Sequence, residues 1–349
     1  MSFDKVGFGI IGTGAVAAVH AQAITGSDYA FLAAVYDVVP ERAQEFAKKH
    51  GTVAVADFDA FLKTPGLEAV TVATPSGFHH DPVVAAAKAG KHILCEKPLD
   101  ITLAKIDDMI RVADENKVLL AAVFQSRFKK AVAAIRKALD EGRFGKLVSV
   151  SAKQLWFRDE SYYKSASWRG TWAVDGGGAL MNQGSHTVDL LLYLGGEVKK
   201  ISAHTSNILH KIEVEDSAFA QIDYVCGASG TLEVSTACKP GYPVTIEVTG
   251  TAGSAILKAD TLARWTFVEE RPEDEQIRRE CAEGAAHSGG AGAAMDFDCH
   301  GHRAHVDNLA RAIRNGEKLM LSGRDGRLAV EFIQAVYESS RTGLPVILR

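Results

Sequence analysis

The chain has 349 residues, of which 47% are hydrophobic and 23% charged, the balance of a globular protein with room for a sizeable core. Lys plus Arg number 39 against 43 Asp plus Glu, a formal net charge of −4 that excludes a nucleic-acid partner or an anionic membrane surface. The length predicts two domains. Five cysteines at 95, 226, 238, 281 and 299 are widely spaced with no C-x-x-C, so reduced thiols in the cytoplasm are expected. "MSFDKVGFGI" carries no signal-peptide pattern, and no apolar run reaches the ~18 residues needed to cross a bilayer.

The first third alternates short β-branched runs, "KVGFGII", "FLAAVYD", "EAVTVAT", "KHILCE" and "VLLAAVF", with helical patterns such as "AVAAVHAQAI" and "PERAQEFAKKH". Buried parallel strands with crossover helices give this rhythm. It predicts an α/β N-terminal domain over 1–124, a doubly wound parallel sheet of Rossmann type. Residues 125–349 read as a C-terminal α+β domain that binds substrate and builds oligomers. A helix at about 128–139 is followed by "KLVSVSAKQLWF", and then by "GGGALMNQGSHTVDLLLYL", a glycine-led helix. Successive strands with short turns come next, from "VKKISAHTSNI" to "GSAILKAD", and predict a large open, mainly antiparallel sheet. "EGAAHSGGAGAAMDFD" reads as a mobile loop. In "TLEVSTAC" and "PVTIEVTG" both alternating sets contain apolar or β-branched residues, so a homodimer or homotetramer packed through the open sheet face is expected.

Between the first strand and helix lies Gly12-Thr13-Gly14-Ala15-Val16-Ala17, a G-x-G-x-x-A turn. Gly12 permits the tight turn, Gly14 lets a pyrophosphate approach the backbone, and Ala17 lets the helix pack close. Asp37 ends the second strand, where a carboxylate accepts from ribose hydroxyls and repels a 2′-phosphate. NAD is therefore the expected cofactor. Arg42, in the next helix, keeps NADP open. Ligands in such sheets sit outside the carboxyl ends of the strands. Those ends carry Thr74, Pro75 and His79 in "VATPSGFHH", Glu96, Lys97 and Pro98 in "ILCEKPLD", and Gln125 and Arg127 in "FQSRF". Glu96 can hold the Lys97 ammonium or a ribose hydroxyl. Gln125 and Arg127 can reach the nicotinamide carboxamide or the substrate.

In the glycine-led helix, Asn182, His186 and Asp189 fall at spacings of four and three, which place them on one stripe. The other side carries Leu180, Val188, Leu191 and Leu192. Upstream, "DESYYKSASWRGTW" offers Tyr162, Tyr163, Trp168 and Arg169, flat apolar faces and charged donors that suit a sugar or polyol. "DCHGHRAH" clusters Cys299, His300, His302 and His305, which read as a helix start with hydrogen-bonding histidines; His302 can reach the substrate pocket.

The G-x-G-x-x-A turn, "EKP" at 96–98 and the glycine-led helix with His186 together resemble the glucose-fructose oxidoreductase / inositol 2-dehydrogenase / rhizopine-catabolism (Gfo/Idh/MocA) family. The resemblance extends to the "GRLAVEFIQAVYESSRTGLPVIL" ending. It implies an NAD-dependent dehydrogenase or reductase acting on a secondary alcohol of a sugar, sugar derivative or polyol, with no metal. It puts Lys97 beside the nicotinamide and the substrate hydroxyl, and makes His186 the acid/base. Inositol dehydrogenase-like members carry Asp four residues before that histidine, where this chain has Asn182. Asn cannot accept a proton, so the proton falls to His186 and Lys97, while Asn182 orients a sugar hydroxyl. Asp189 either orients the His186 imidazole or packs as a helix carboxylate. Two alternatives stay open: an NAD-dependent glycosidase that oxidises its substrate transiently, and a non-catalytic NAD(P)-sensing protein.

Overall fold

The computed structural model describes residues 4–282 and 299–348. The "EGAAHSGGAGAAMDFD" segment, 283–298, lies outside them. The chain divides into two compact units: Met1–Gln125 with Phe297–Val330, and Ser126–Asp296 with Glu331–Arg349.

The first unit is a parallel sheet of β1 (Val6–Ile11), β2 (Ala30–Tyr36), β3 (Leu67–Val72), β4 (His92–Cys95) and β5 (Leu120–Ala122), in the order β2-β1-β3-β4-β5. Every residue of β1 is buried, as a parallel strand covered on both faces must be. The crossovers are α1 (Ala15–Thr25), α2 (Pro40–His50), the short α3 (Phe58–Leu62), α4 (His80–Lys88) and α5 (Leu103–Glu115). Helix α2 illustrates how sequence sets its ends. Pro40 opens it, Lys48, Lys49 and His50 sit in the last turn against the dipole, and Gly51 stops it with φ +67°. The order reverses direction at β1, so the loops after β1 and β3 flank the switch point where such sheets bind ligands.

The second unit begins with α6 (Lys130–Asp140), β6 (Leu147–Leu155), the short α7 (Glu160–Lys164) and α8 (Ser185–Gly195). It continues through β7 (Val198–Ser206), β8 (Ser217–Tyr224), β9 (Ser229–Ser235), β10 (Thr245–Gly250), β11 (Gly253–Lys258), β12 (Thr261–Phe267) and α9 (Pro272–Glu280). With β13 (Val346–Ile347) the strands form a sheet in the order β12-β11-β10-β6-β9-β8-β7-β13. It is mainly antiparallel, but β6 and β9 pair in parallel, so the sheet is mixed. Helix α8 packs on β6 and β10. The expectation of two water-averse faces does not hold. The buried row holds Ala218, Ala220, Ile222, Leu232, Val234, Ile246 and Val248. The outward rows carry Gln221, Thr231, Glu247 and a Lys153–Glu233 ion pair at 3.1 Å, with Phe219 and Ile347 as exposed apolar exceptions. Thr231 on that side is β-branched, but water tolerates its hydroxyl.

After α9 come α10 (His300–Asn315) and α11 (Gly323–Thr342). The sequence reading placed everything after 124 in the second domain. The structure instead returns 297–330 to the first unit. The reason is the apolar side of α10: Val306, Leu309 and Ala310 share one core cluster with Ala17, Ala21 and Ile24 of α1. Truncating a fully buried leucine such as Leu309 to alanine costs about 2–5 kcal/mol.

Candidate active site

In the first unit, Gly12 has φ +88°, and a Cβ there would lie 3.0 Å from the Ala73 carbonyl oxygen, so only glycine makes this turn without strain. Gly14 precedes α1, and a Cβ on it would meet nothing within 4 Å. No side chain caps α1. Its first N–H groups, at Ala15 and Val16, therefore face an open cradle at the positive end of a helix. Asp37 is buried beside that turn. Its Oδ2 accepts from the Thr13 N–H (2.8 Å) and hydroxyl (2.9 Å), and its Oδ1 from the Val39 N–H (2.9 Å). Arg42 lies exposed in the first turn of α2.

Thr74 and Pro75 follow β3. His79 is buried, with Nε2 2.8 Å from the Thr74 carbonyl and Nδ1 2.9 Å from that of Pro98. It ties the loop after β3 to the loop after β4, and both ring nitrogens are spent on backbone. Gln125 opens a short helical turn, Gln125–Phe128, and its buried Oε1 has no hydrogen-bond partner. This unit thus brings together an uncapped helix end, a carboxylate beyond the second strand and a buried amide oxygen without a partner.

Lys97 is half-buried after β4, and its bond to Pro98 is cis. Glu96 differs from expectation, because its carboxylate turns inward. Oε1 lies 2.8 Å from His20 Nε2 and 3.3 Å from His302 Nε2, and Oε2 accepts from the Lys97 N–H at 3.1 Å. The Thr71 hydroxyl meets the other nitrogen of His20 at 3.1 Å. Burial opposes the charge, but the two histidines hold the Glu96 carboxyl well below its usual range. The three ligand-type atoms lie within 4.8 Å of one another, a compactness these hydrogen bonds explain. His302 thus reaches the base of the "EKP" turn, not the substrate pocket expected for it. His305 accepts from the Phe124 N–H at 3.0 Å, and burial lowers its pKa to about 3.

In the second unit the glycine-led segment is not one α-helix. Ala179–Gln183 forms a π-helical turn before α8, so Asn182 and His186 lie on different helical geometries. Gly178 is required there, since a Cβ would fall 1.9 Å from the Glu215 carbonyl oxygen. Glu215 itself accepts from the N–H groups of Gly178 (3.0 Å) and Leu180 (2.8 Å) and from the Tyr337 hydroxyl (3.0 Å). Burial raises its pKa to about 7. Leu180, Val188 and Leu191 are fully buried, Leu192 is half-buried, and His186 is half-buried on the polar side. Asp189 is 1% exposed and bound to Arg127: Nε at 3.0 and 3.1 Å, Nη2 at 2.6 Å. The carboxylate whose role the sequence left open is the partner of a buried arginine. Arg127, expected at the substrate, is that arginine, and it also stacks 4.4 Å over Tyr193.

Asn182 joins a network with most of the aromatic segment. Its Nδ2 donates to Asp175 Oδ1 (2.5 Å), and its Oδ1 accepts from Gln183 (2.9 Å) and the Tyr162 hydroxyl (3.4 Å). The Tyr162 oxygen accepts from Arg169 Nη1 (2.6 Å) and Gln183 Nε2 (2.5 Å). Arg169 stacks over Trp168 at 4.7 Å. Tyr163 shares a hydrogen bond with Thr236 (2.8 Å). Sequence reasoning missed Asp175, Gln183, Arg158, Glu215 and His20. Asp175 had a signal, a lone acid set directly before the glycine run. It brings a buried carboxylate against the amide that stands where an aspartate was expected.

Two family models cover both units. One, described as the oxidoreductase family, NAD-binding Rossmann fold, matches residues 6–124, and the other, the GFO/IDH/MocA C-terminal domain, matches 132–256. The chain belongs to the Gfo/Idh/MocA family. Like other Gfo/Idh/MocA proteins it is an NAD-dependent oxidoreductase, and its first unit is the NAD-binding Rossmann fold. It is 26% identical to an inositol 2-dehydrogenase of Rhizobium meliloti, over 96% of each chain, and 28% identical to a myo-inositol 2-dehydrogenase of Thermotoga maritima, over 92% of each. Among solved structures it resembles the WlbA dehydrogenase of Bordetella pertussis in complex with NADH and UDP-GlcNAcA. The TM-score is 0.89 at 30% identity, over 100% of this chain and 99% of that one. No helix of the described residues is long and apolar enough to cross a membrane.

Proposed function

We propose that this protein oxidises a secondary alcohol of a sugar, sugar derivative or polyol, or reduces the matching ketone. A bound NAD supplies the acceptor for the hydride that leaves the carbinol carbon. His186 takes the hydroxyl proton in that step and returns it in the reverse direction, a task suited to an imidazole near neutral pH. Lys97 donates a hydrogen bond to the same oxygen and stabilises the developing alkoxide. Asn182, its amide aligned by Asp175, orients a neighbouring hydroxyl. Tyr163, Trp168 and Arg169 line the sugar's side, and the loops carrying Thr74, His79 and Gln125 serve the cofactor's.

The observation that carries this reading is the helix that presents His186. Its apolar side is largely buried, while Asn182 and its neighbours form a hydrogen-bonded polar array. A core helix without a polar ligand has no use for such an array. The names of the inositol dehydrogenases and of the WlbA complex support a sugar-like substrate. Five unbonded cysteines support a reducing compartment, the cytoplasm, and the exposed Phe219 and Ile347 on the open sheet face support a homodimer or homotetramer.

The test is NAD reduction by the purified protein against a panel of sugars, inositols and sugar acids. At least one substrate should accumulate NADH in stoichiometric amounts, and His186→Ala should slow it by roughly 10²–10⁴-fold. Product formation with no net NADH would instead identify transient oxidation, as in an NAD-dependent glycosidase.

A further inference from the structure

Arginines removed from water in the second unit fall into two kinds. Arg127 holds Asp189, and Arg143 holds Asp274 through two bonds of 2.8 and 2.7 Å. Arg158 is equally buried, 7% exposed, and has no carboxylate. Its Nη1 donates to the Phe157 carbonyl (3.1 Å) and its Nη2 to Gln183 Oε1 (3.0 Å), while its buried Nε has no acceptor. It lies 5.0 Å from the Trp156 ring and 5.6 Å from that of Tyr162. Taking a guanidinium out of water costs several kcal/mol unless an anion or a full set of acceptors compensates. Among the described residues no carboxylate bonds Arg158; Asp159 attracts it only at longer range, and its Nε lacks an acceptor.

A second guanidinium meets the same tyrosine. Arg169 bonds the Tyr162 hydroxyl and Ser165 Oγ (3.1 Å) and stacks 4.4 Å over the Tyr162 ring. Arg169 also has no carboxylate. Two acids are near. Asp159 caps α7, accepting from the Tyr162 N–H (3.0 Å), and Asp175 accepts from Gly170 N–H (2.9 Å) and Asn182. Asp159 attracts Arg158 without a close ion pair. Two cations with no carboxylate bonded to them among the described residues therefore sit in the network that contains Asn182, four residues before His186.

We propose that Arg158 and Arg169 form a subsite for an oxyanion carried by the sugar, a carboxylate or a phosphate; this rests on the reading of the second unit as the sugar-binding part. A planar guanidinium offers paired N–H donors that match either oxyanion, and the flanking Tyr162 and Trp168 rings suit an adjacent sugar face. The anion supplies the close charged partner that neither guanidinium has among the described residues.

Calorimetric titration of the NADH-loaded protein with glucuronate, glucose 6-phosphate and glucose tests this. One of the two anions should bind at least ~10-fold more tightly than glucose, about 1.4 kcal/mol. Which anion binds better distinguishes carboxylate from phosphate. Arg169→Met, at a half-buried position, and Arg158→Met should each cut that preference to near unity. Glucose binding as tightly as both anions, no binding of either anion, or a preference unchanged in both variants would overturn the proposal. Turnover separates it from the broader reading. NADH formation with neutral sugars and no anion preference keeps the dehydrogenase and removes the subsite. Arginine-dependent anion binding with no NAD reduction by any member of the wider panel does the reverse.

Discussion

Asp37 holds Thr13 twice, accepting both its backbone N–H at 2.8 Å and its hydroxyl at 2.9 Å. The acid proposed to select the cofactor therefore also shapes the turn before α1. A 2′-phosphate beside this carboxylate meets repulsion of a few kcal/mol, so the protein should prefer NAD over NADP by about 10²-fold in kcat/KM. Asp37→Ser should remove most of that preference and also weaken NAD binding, because Thr13 loses its anchor. Steady-state kinetics with both cofactors decide it. Equal efficiencies in the wild type would show that Asp37 does not face the ribose.

Lys97→Met and His186→Ala should each lower turnover by roughly 10²–10⁴-fold, the usual worth of a positioned acid–base group, and leave NADH affinity nearly intact. Fluorescence titration reads the affinity, and single-turnover mixing reads the chemical step. Near wild-type rates in a chemistry-limited assay would remove the residue concerned from the mechanism.

The Arg127–Asp189 pair makes a prediction about stability. Arg127→Met leaves a buried carboxylate without its guanidinium and should cost about 3–5 kcal/mol. Arg127→Met combined with Asp189→Leu should recover much of that loss. Denaturant midpoints of the three proteins test the coupling, and additive losses would mean that the two side chains act independently.

His305 predicts a pH dependence. Its Nε2 must keep a lone pair for the Phe124 N–H, and burial lowers its folded pKa from 6.5 to about 3. The unfolded chain takes up that proton below pH 6.5 and the folded chain does not. The contribution is therefore complete above pH 6.5 and is lost as pH falls toward 3, at ~1.4 kcal/mol per pH unit. Urea melts from pH 7 to 4 should show a shallower slope for His305→Gln by about one proton. An unchanged slope would place the proton uptake elsewhere, His20 being the next candidate since burial lowers it too.

The open face of the large sheet gives an assembly prediction. Light scattering at micromolar concentration should report two or four protomers, and a protomer-sized particle would count against it.

Legibility followed periodicity. The five parallel strands and the glycine turn were readable because burial on both faces leaves near-continuous apolar runs, and because Gly12 and Asp37 stand at fixed offsets from them. His186 was readable as an imidazole on an otherwise apolar helix. The destination of α10 was not, since an amphipathic helix announces its apolar side but not the surface that side will cover. The π-helical turn was equally hidden, because Asn182 and His186 keep an α-helical spacing in sequence. Glu96 was misjudged because its partners, His20 and His302, lie 76 and 206 residues away. Arg158 sat among aromatic residues like any surface arginine. Only the missing carboxylate sets it apart, and that is visible in space alone.

The return of α10 to the first unit has a consequence for biosynthesis. The chain crosses between the two units three times, at 125/126, 296/297 and 330/331. A ribosome that has released residues 1–125 has made all five strands of the nucleotide sheet, yet the apolar side of α1 still lacks Val306, Leu309 and Ala310, and Glu96 still lacks His302. The nucleotide unit cannot finish before most of the other unit has emerged. Neither unit can be cut out as one uninterrupted fragment, and a gene truncated at the apparent domain boundary should yield an aggregation-prone product.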